Sequence, residues 1–581
     1  MSSPHRPPTT AAPSSDQLRR QLLAVALLLP ALGALTFSYA RPTLWTVATA
    51  FQSRRLLNRA PEWVGFANLR DILDNGWLAD AGYALSYAAA PAAALVTLAP
   101  ALAWLARRTG AAGRRIVLVA VAVPLACFAP VATAAAWRHL HPGGGARTSL
   151  GADDPRVGYW IMAAIVAVAA AATVGLMVQR GRAGRRTWPA IASLTAVGVL
   201  AAASAALQEF TYPWLAASSA APGQRDPRGP AAIVVQATTT GFDLGIAAAA
   251  ATLLLLPLLL LGTAAAVLVV VSRIRAKFDV SGQDETVDPP RWWAVAGSDA
   301  VLLAMAAGLG YLGWTMIRSW GDASAAGAPL AELIRNGWAP PLLPSVLGVG
   351  FAAAAGLAIG GLRPLGKHSE LLLLPFAPWL FVGATPLLPA AFADALSLGR
   401  IGTPAALAPA SWLSVPAVFI FTVLFAGLHR EWRRLRSAGL DRRTATIVTH
   451  VKFGLPAVLV VTVAVWLIRV QTLSWPLVAG DERFLTAATQ AALSTPAERP
   501  WLSPLLLPAI PALAAFVFAQ LYLTRRLSLH PGDDREPPTV ADAVAKAGAA
   551  GMTAPRPGTS REGMTRAANE RQEPEGTSRE R

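Results

Sequence analysis

Apolar runs of 18 or more residues recur along most of the chain, separated by short polar segments rich in arginine, glycine and proline. As a helix rising 1.5 Å per residue, a run of that length matches the hydrocarbon thickness of a bilayer. The pattern predicts about twelve spans: Gln21 to Ala50, Ala81 to Ala106, Ile116 to Trp137, Val157 to Val178, Ala190 to Leu207, Leu244 to Val271, Trp293 to Ile317, Leu342 to Leu362, Leu371 to Ala393, Trp412 to Leu428, Phe453 to Val470 and Leu502 to Leu523. The expected fold is an all-α polytopic membrane protein. The first run is too long for a signal peptide and lacks a small-residue cleavage site, so it reads as a retained helix.

Composition agrees. Of 581 residues, 54% are hydrophobic and 14% charged, against roughly a quarter charged in soluble proteins. A net charge of +17 raises nucleic-acid binding as a possibility, but the basic residues sit in short clusters between apolar runs, where topology explains them and no nucleic acid is needed. With the N-terminus inside, cytoplasmic ends and loops carry about 25 Lys or Arg up to Arg526 and external loops about 14. Both termini are then cytoplasmic, in a multi-pass plasma-membrane protein. The single cysteine, Cys127, lies inside an apolar run and reads as a small core residue.

The polar stretch Ser272 to Arg291 divides the chain. The expected organisation is a disordered N-tail (1–18), a first half (19–271), a cytoplasmic linker (272–291), a second half (292–527) and a disordered C-tail (528–581) that repeats Gly-Thr-Ser-Arg-Glu. The halves share landmarks in one order. Asn75-Gly76-Trp77 matches Asn336-Gly337-Trp338, Pro189 matches Pro456, and Pro213 in QEFTYPW matches Pro476 in QTLSWPL, at offsets of 261, 267 and 263 residues. Collinear agreement predicts two homologous six-helix halves in parallel orientation, an arrangement that places a pathway at their seam.

These landmarks also carry a resemblance. LLLPALGALTFSYARPTLWTVATAF from Leu27, WVGFANLRDIL from Trp63, ALQEF from Ala206, AAPG from Ala220 and GFDLGIAAAAAT from Gly241 follow one another in the order and spacing of a known family. The first half resembles the membrane subunit of binding-protein-dependent sugar ABC importers of the maltose and glycerol-phosphate type, and the second half resembles its partner subunit. The chain is thus similar to two permease subunits fused, over roughly Gln21 to Leu527. The resemblance implies a transport subunit rather than an enzyme. It implies no cofactor in this chain, ATP and Mg in partner cytoplasmic ABC ATPase subunits, an extracytoplasmic solute-binding protein, and a carbohydrate as small-molecule substrate.

The family's coupling loop is a cytoplasmic helix-turn-helix. Counting back from Leu455-Pro456 puts Ser437, Ala438 and Gly439 at its Glu-Ala-Ala positions and Arg443 at its Gly position. Arg430 to Lys452 is too polar to enter the bilayer and long enough for two short helices. The ATPase-docking residues expected here are Arg433, Arg434, Ser437, Ala438, Gly439, Leu440, Asp441, Arg443 and Pro456; a basic loop obeying the positive-inside rule is the plainer alternative. In the first half only a stub, Gln179 to Trp188, precedes Pro189. It offers a weaker docking loop of Arg182, Arg185, Arg186 and Pro189, which leaves coupling symmetric or carried mainly by the second half.

For the ligand path the candidates are Gln208, Glu209, Tyr212 and Trp214 in one half and Gln471, Thr472, Ser474 and Trp475 in the other. Polar groups at membrane depth are costly unless they line water or protein, and aromatic faces pack on sugar rings. An interfacial aromatic belt with capping amides fits the same residues. Arg41 and Arg469 are expected to snorkel to the outer interface. Gly361 to Lys367 imitates a phosphate loop without the strand or Ser/Thr it needs, and Gly308, Gly310 and Gly313 imitate a dinucleotide fingerprint inside an apolar span, where helix packing explains them. Gly356 and Gly360 form a small-xxx-small pair. No metal-ligand spacing is present in the sequence. The alternatives are a twelve-helix secondary transporter of the major-facilitator type, suggested by Gly113-Arg114-Arg115, and a non-transporting membrane scaffold.

Overall fold

The computed structural model describes residues 15–55, 60–141, 154–180, 187–217, 228–239, 241–278, 289–318, 329–403, 411–479, 483–494 and 503–531. The tails at 1–14 and 532–581 and linker residues 279–288 lie outside them. Among the described residues nine helices are long and apolar enough to cross a membrane: α1 (Leu18–Ala50), α2 (Ala89–Arg107), α5 (Pro155–Arg180), α6 (Pro189–Ala217), α7 (Leu244–Ser272), α8 (Trp292–Trp314), α9 (Ala331–Leu362), α10 (Val415–Ser437) and α11 (Arg442–Val470). A bent pair, α3 (Gly110–Ala126) and α4 (Pro130–Leu140), meets at 77° and is apolar enough to form either one broken span or a re-entrant loop. A shorter apolar helix, α12 (Ala509–Thr524), follows. The chain is therefore an all-α polytopic membrane protein, with two small two-stranded sheets among the described residues, β1 (Gln52–Ser53) with β2 (Glu62–Trp63) and β3 (Ile274–Phe278) with β4 (Leu527–Pro531).

The expected span Leu371 to Ala393 is not one α-helix. Gly366–Trp379 is a 3-10 helix, Thr385–Leu387 a second short one, and only Leu388–Ser397 is α-helical. Pro375, Pro378, Pro386 and Pro389 explain this, since each lacks the N–H that an α-helix interior requires and crowds the carbonyl four residues back. Elsewhere a wider turn accommodates proline. The π-helical stretch Ile447–Gly454 runs directly into Pro456, and the Lys452 carbonyl, four residues before that proline, accepts the Tyr522 hydroxyl at 3.2 Å.

Helix contacts recur in matched pairs. α1 packs on α9, and α8 packs on α2. α7 packs on Gly366–Trp379, and α12 packs on α3. α2 contacts α5 and α6, as α9 contacts α10 and α11. Pro230–Thr239 touches Leu388–Ser397, and Leu485–Ser494 touches α4. The strands continue the pattern: β3 lies on α10 and β4 on α5, while the two pair antiparallel, with Ala276 opposite Leu529 at the centre. β3 falls inside the stretch expected to be a linker, and β4 takes Ser528 to Pro531 from the tail expected to be disordered, because the two strands pair with each other. Its buried residues Ile274, Ala276 and Phe278 alternate with polar ones, and Arg275 reaches Glu370 at 2.9 Å.

The helices approach most closely where side chains vanish. A Cβ at Gly356 would meet Phe421 and one at Gly360 would strike the Thr422 carbonyl, so this glycine pair seats α9 on α10. The expectation for the other glycine cluster is corrected. Gly308 packs on Ile165, but Gly310 and Gly313 have open space around them and serve no close helix contact. Replacing Gly360 by leucine is expected to destabilise the folded protein by about 1 to 3 kcal/mol through overpacking. Gly313→Leu is expected to leave the midpoint of thermal unfolding in detergent unchanged.

Candidate functional site

Two regions collect the residues that the sequence singles out. The first is the turn between α10 and α11. It is a helix-turn-helix, but its arms are continuous with the two membrane helices rather than two separate short helices, because no breaker lies between Arg430 and Ser437 or between Arg442 and Lys452. The turn is built by Ala438 to Asp441. Gly439 is left-handed at φ +94°, its N–H bonds the Arg436 carbonyl at 3.1 Å, and the Leu440 N–H bonds the Leu435 carbonyl at 3.1 Å. This double closure is the Schellman arrangement, and it needs a residue without a Cβ at that position. Asp441 then caps the next helix, accepting the Thr444 N–H at 3.0 Å. The Thr444 hydroxyl and backbone N–H hold the Asp441 carboxyl below its ordinary range.

The arms are braced inside by Trp432, whose indole N–H donates to Thr446 Oγ1 at 3.1 Å, and by His429 stacked on Trp432. Ser437 donates back to the Arg434 carbonyl at 2.8 Å. Arg433, Arg434, Arg436, Arg442 and Arg443 are exposed around the tip, with Glu431 3.6 Å from Arg434. Pro456 lies further along, at the start of the regular α-helical part of α11. In the first half, Arg182, Arg185 and Arg186 lie outside the described residues, and Pro189 is exposed near the beginning of α6.

The second region is at the opposite end of the bundle, at the C-terminal ends of α6 and α11. Three of the expected ligand-path residues, Gln208, Glu209 and Gln471, serve the backbone there. Gln208 Nε2 donates to the carbonyls of Ser204 at 2.9 Å and Phe381 at 2.8 Å, while its Oε1 accepts the Gly383 N–H at 2.6 Å. It thereby clamps the proline-broken segment to the end of α6. Glu209 accepts the Tyr212 N–H at 3.0 Å. Tyr212 is buried, its hydroxyl 2.7 Å from Thr133 and its ring edge-on to Tyr159. Trp214 packs on Phe210. Gln471 is buried and donates to the Leu505 carbonyl at 2.8 Å, and Ser474 is buried beside it.

Thr472 and Trp475 have a different setting: both line a cavity of about 290 Å³. Tyr39 from α1, Gly383, Leu387, Arg469 and Phe484 complete much of its wall. α1 is stitched into that wall by Tyr39, which donates to the Leu413 carbonyl at 3.1 Å, and by Ser38 Oγ, which accepts the Trp412 N–H at 2.9 Å. Arg469 does not snorkel outward as expected. Its Nη2 reaches Ser411 at 3.4 Å, and its Nη1 is enclosed without a hydrogen-bond partner among the described residues. Arg41, by contrast, reaches the exposed Asp394 at 3.0 Å. An apolar hollow with one aromatic wall and a few convergent donors suits a small polar solute. The missed contributors, Ser38 and Tyr39, come from the first apolar run. The signal that could have found the cavity was Arg469, a cation inside a run.

No family model, curated protein or solved structure matches this chain.

Two outcomes test these assignments. In a Cys127→Ala background, Thr472→Cys is expected to react with a membrane-impermeant thiol reagent an order of magnitude faster than Ser474→Cys, read by mass shift. Gln208→Leu leaves the part-buried Phe381 carbonyl without its partner, and is expected to destabilise the fold by about 1 to 3 kcal/mol, read as a lowered thermal midpoint in detergent.

Proposed function

We propose that the chain is the permease component of an ATP-driven ABC importer in the plasma membrane, carrying a small polar solute of the carbohydrate class. Twelve crossings are counted as the nine long helices, the bent pair, the broken segment from Gly366 to Ser397, and α12. They divide into two homologous six-span halves. The observation that carries this reading is the matched contact pattern. Several contacts between spans recur six spans later, and those across the halves do so with the partners exchanged: α1 on α9 with α8 on α2, and α7 on Gly366–Trp379 with α12 on α3. A pair of bundles each lending its first helix to the other is what two related subunits with a common axis along the membrane normal would give.

In this reading the cavity beside Trp475 lies at the seam, because α1 of one half closes a wall made by the other. The solute-binding protein delivers solute at that end, which is external, and both termini are cytoplasmic. Two separate ATPases bind ATP and Mg, and their closure is transmitted to the membrane helices. The α10–α11 turn is suited to this because each arm continues as helix from the basic tip, α11 by way of its π-helical stretch Ile447–Gly454, so displacement of the tip is carried to both helices. Exposed arginines at the tip favour an acidic groove on the ATPase.

The test uses the exposed residues, which can be changed without touching the braces inside the turn. An ATP-hydrolysing subunit is expected to copurify with the full chain, and Arg433→Glu with Arg434→Glu and Arg443→Glu is expected to lower the retained ATPase activity at least tenfold. Unchanged retention would reject the docking role.

A further inference from the structure

A hollow of about 920 Å³ opens sideways between α2, α5 and α6. Its origin is steric. α5 meets α2 through Gly175, where a Cβ would stand 2.8 Å from Ala103, and α6 meets it through Gly198, where a Cβ would stand 3.3 Å from Leu95. Both helices are thus drawn onto α2, and the small residues between them, Ala170, Ala171 and Ala201, leave the gap unfilled. The lining of α5 runs from Ala170 to Gln179, about 14 Å at the helical rise of 1.5 Å per residue, or close to half of a ~30 Å hydrocarbon core. The hollow therefore matches the depth of one leaflet.

Its polar end is built differently from its walls. Arg107, Arg108 and Gln179 converge there. The Arg108 guanidinium lies 3.9 Å over the Trp104 ring and 5.9 Å from that of Trp293, which fixes it at the interfacial level. Arg108 Nη1 and Gln179 Oε1 are both enclosed and have no hydrogen-bond partner among the described residues. An enclosed guanidinium donor left unpaired is costly, and an anionic oxygen relieves that cost. The neighbouring unpaired acceptor asks for a hydroxyl.

We propose that this hollow is a binding site for an anionic phospholipid, with an acyl chain between α5 and α6, the phosphate on Arg107 and Arg108, and a headgroup hydroxyl donating to Gln179. Apolar walls at leaflet depth supply the reason for a chain, and the arginine pair supplies the reason for negative charge. The site needs only a bilayer and does not depend on the transport reading.

Native mass spectrometry of the full-length protein in detergent tests it, with phosphatidylglycerol and phosphatidylcholine of the same acyl chains as probes. The wild type is expected to retain phosphatidylglycerol at least tenfold more tightly. Arg107→Gln with Arg108→Gln is expected to abolish that preference, and Ala171→Phe with Thr195→Phe, which leaves the arginines intact but fills the hollow, is expected to remove the bound lipid. Equal retention of the two lipids by the wild type overturns the proposal, as does wild-type retention by either variant. Competition by glycerol phosphate as effective as that by the whole lipid also overturns it, since it would make the site one for a soluble anion.

Discussion

Inside hydrocarbon, a backbone N–H or carbonyl without a partner costs several kcal/mol, and water is not there to help. This chain contains 46 prolines, each of which removes one donor. Much of its architecture follows from that conflict. Some prolines sit inside regular α-helix, as Pro340, Pro341 and Pro344 do in α9, while elsewhere the helix tightens to 3-10, as at Gly366–Trp379, or widens to a π turn, as at Ile447–Gly454. A polar side chain then reaches from another helix to the exposed backbone. Tyr522 serves Lys452, Gln208 serves Phe381 and Gly383, Tyr39 serves Leu413, and Gln471 serves Leu505. Each such bond also ties together elements far apart in sequence, so the repair of local breaks is what stitches the bundle.

That economy separates two kinds of polar residue at membrane depth. Those whose groups are consumed by backbone, such as Gln208 and Gln471 Nε2, hold walls in place. Those with capacity left over, Arg469 beside Trp475 and Arg108 beside Trp104, face hollows. Chemistry directed at a ligand is expected from the second kind.

The apolar runs made the fold class legible, because a length of about 20 residues is demanded by the bilayer itself. The helix-turn-helix was legible as a polar segment, and its exposed arginines are where charge alone would put them. Its continuity with α10 and α11 was not, since nothing in the composition of Arg442 to Lys452 distinguishes a free helix from an extended one. The broken span was hidden because leucine and proline together still score as apolar. Gln208 was visible as a polar residue at depth, but whether it faced solute or backbone depended on Phe381 and Gly383, which lie more than 170 residues away in sequence. The cavity escaped notice for the same reason: Tyr39 and Trp475 meet only in three dimensions.

The β3–β4 pair also fixes an order of events during synthesis. Ile274–Phe278 leaves the ribosome about 250 residues before its partner Leu527–Pro531, an interval of roughly 10 to 50 s at common elongation rates. For more than half of that time α10, which covers one side of the strand, is itself not yet made, and throughout it the open edge lacks its partner strand. Truncation before Leu527 would make that edge permanent, and an unpaired edge is a template for association between chains. The emergence of Leu527–Pro531 is therefore the point at which that edge can first close.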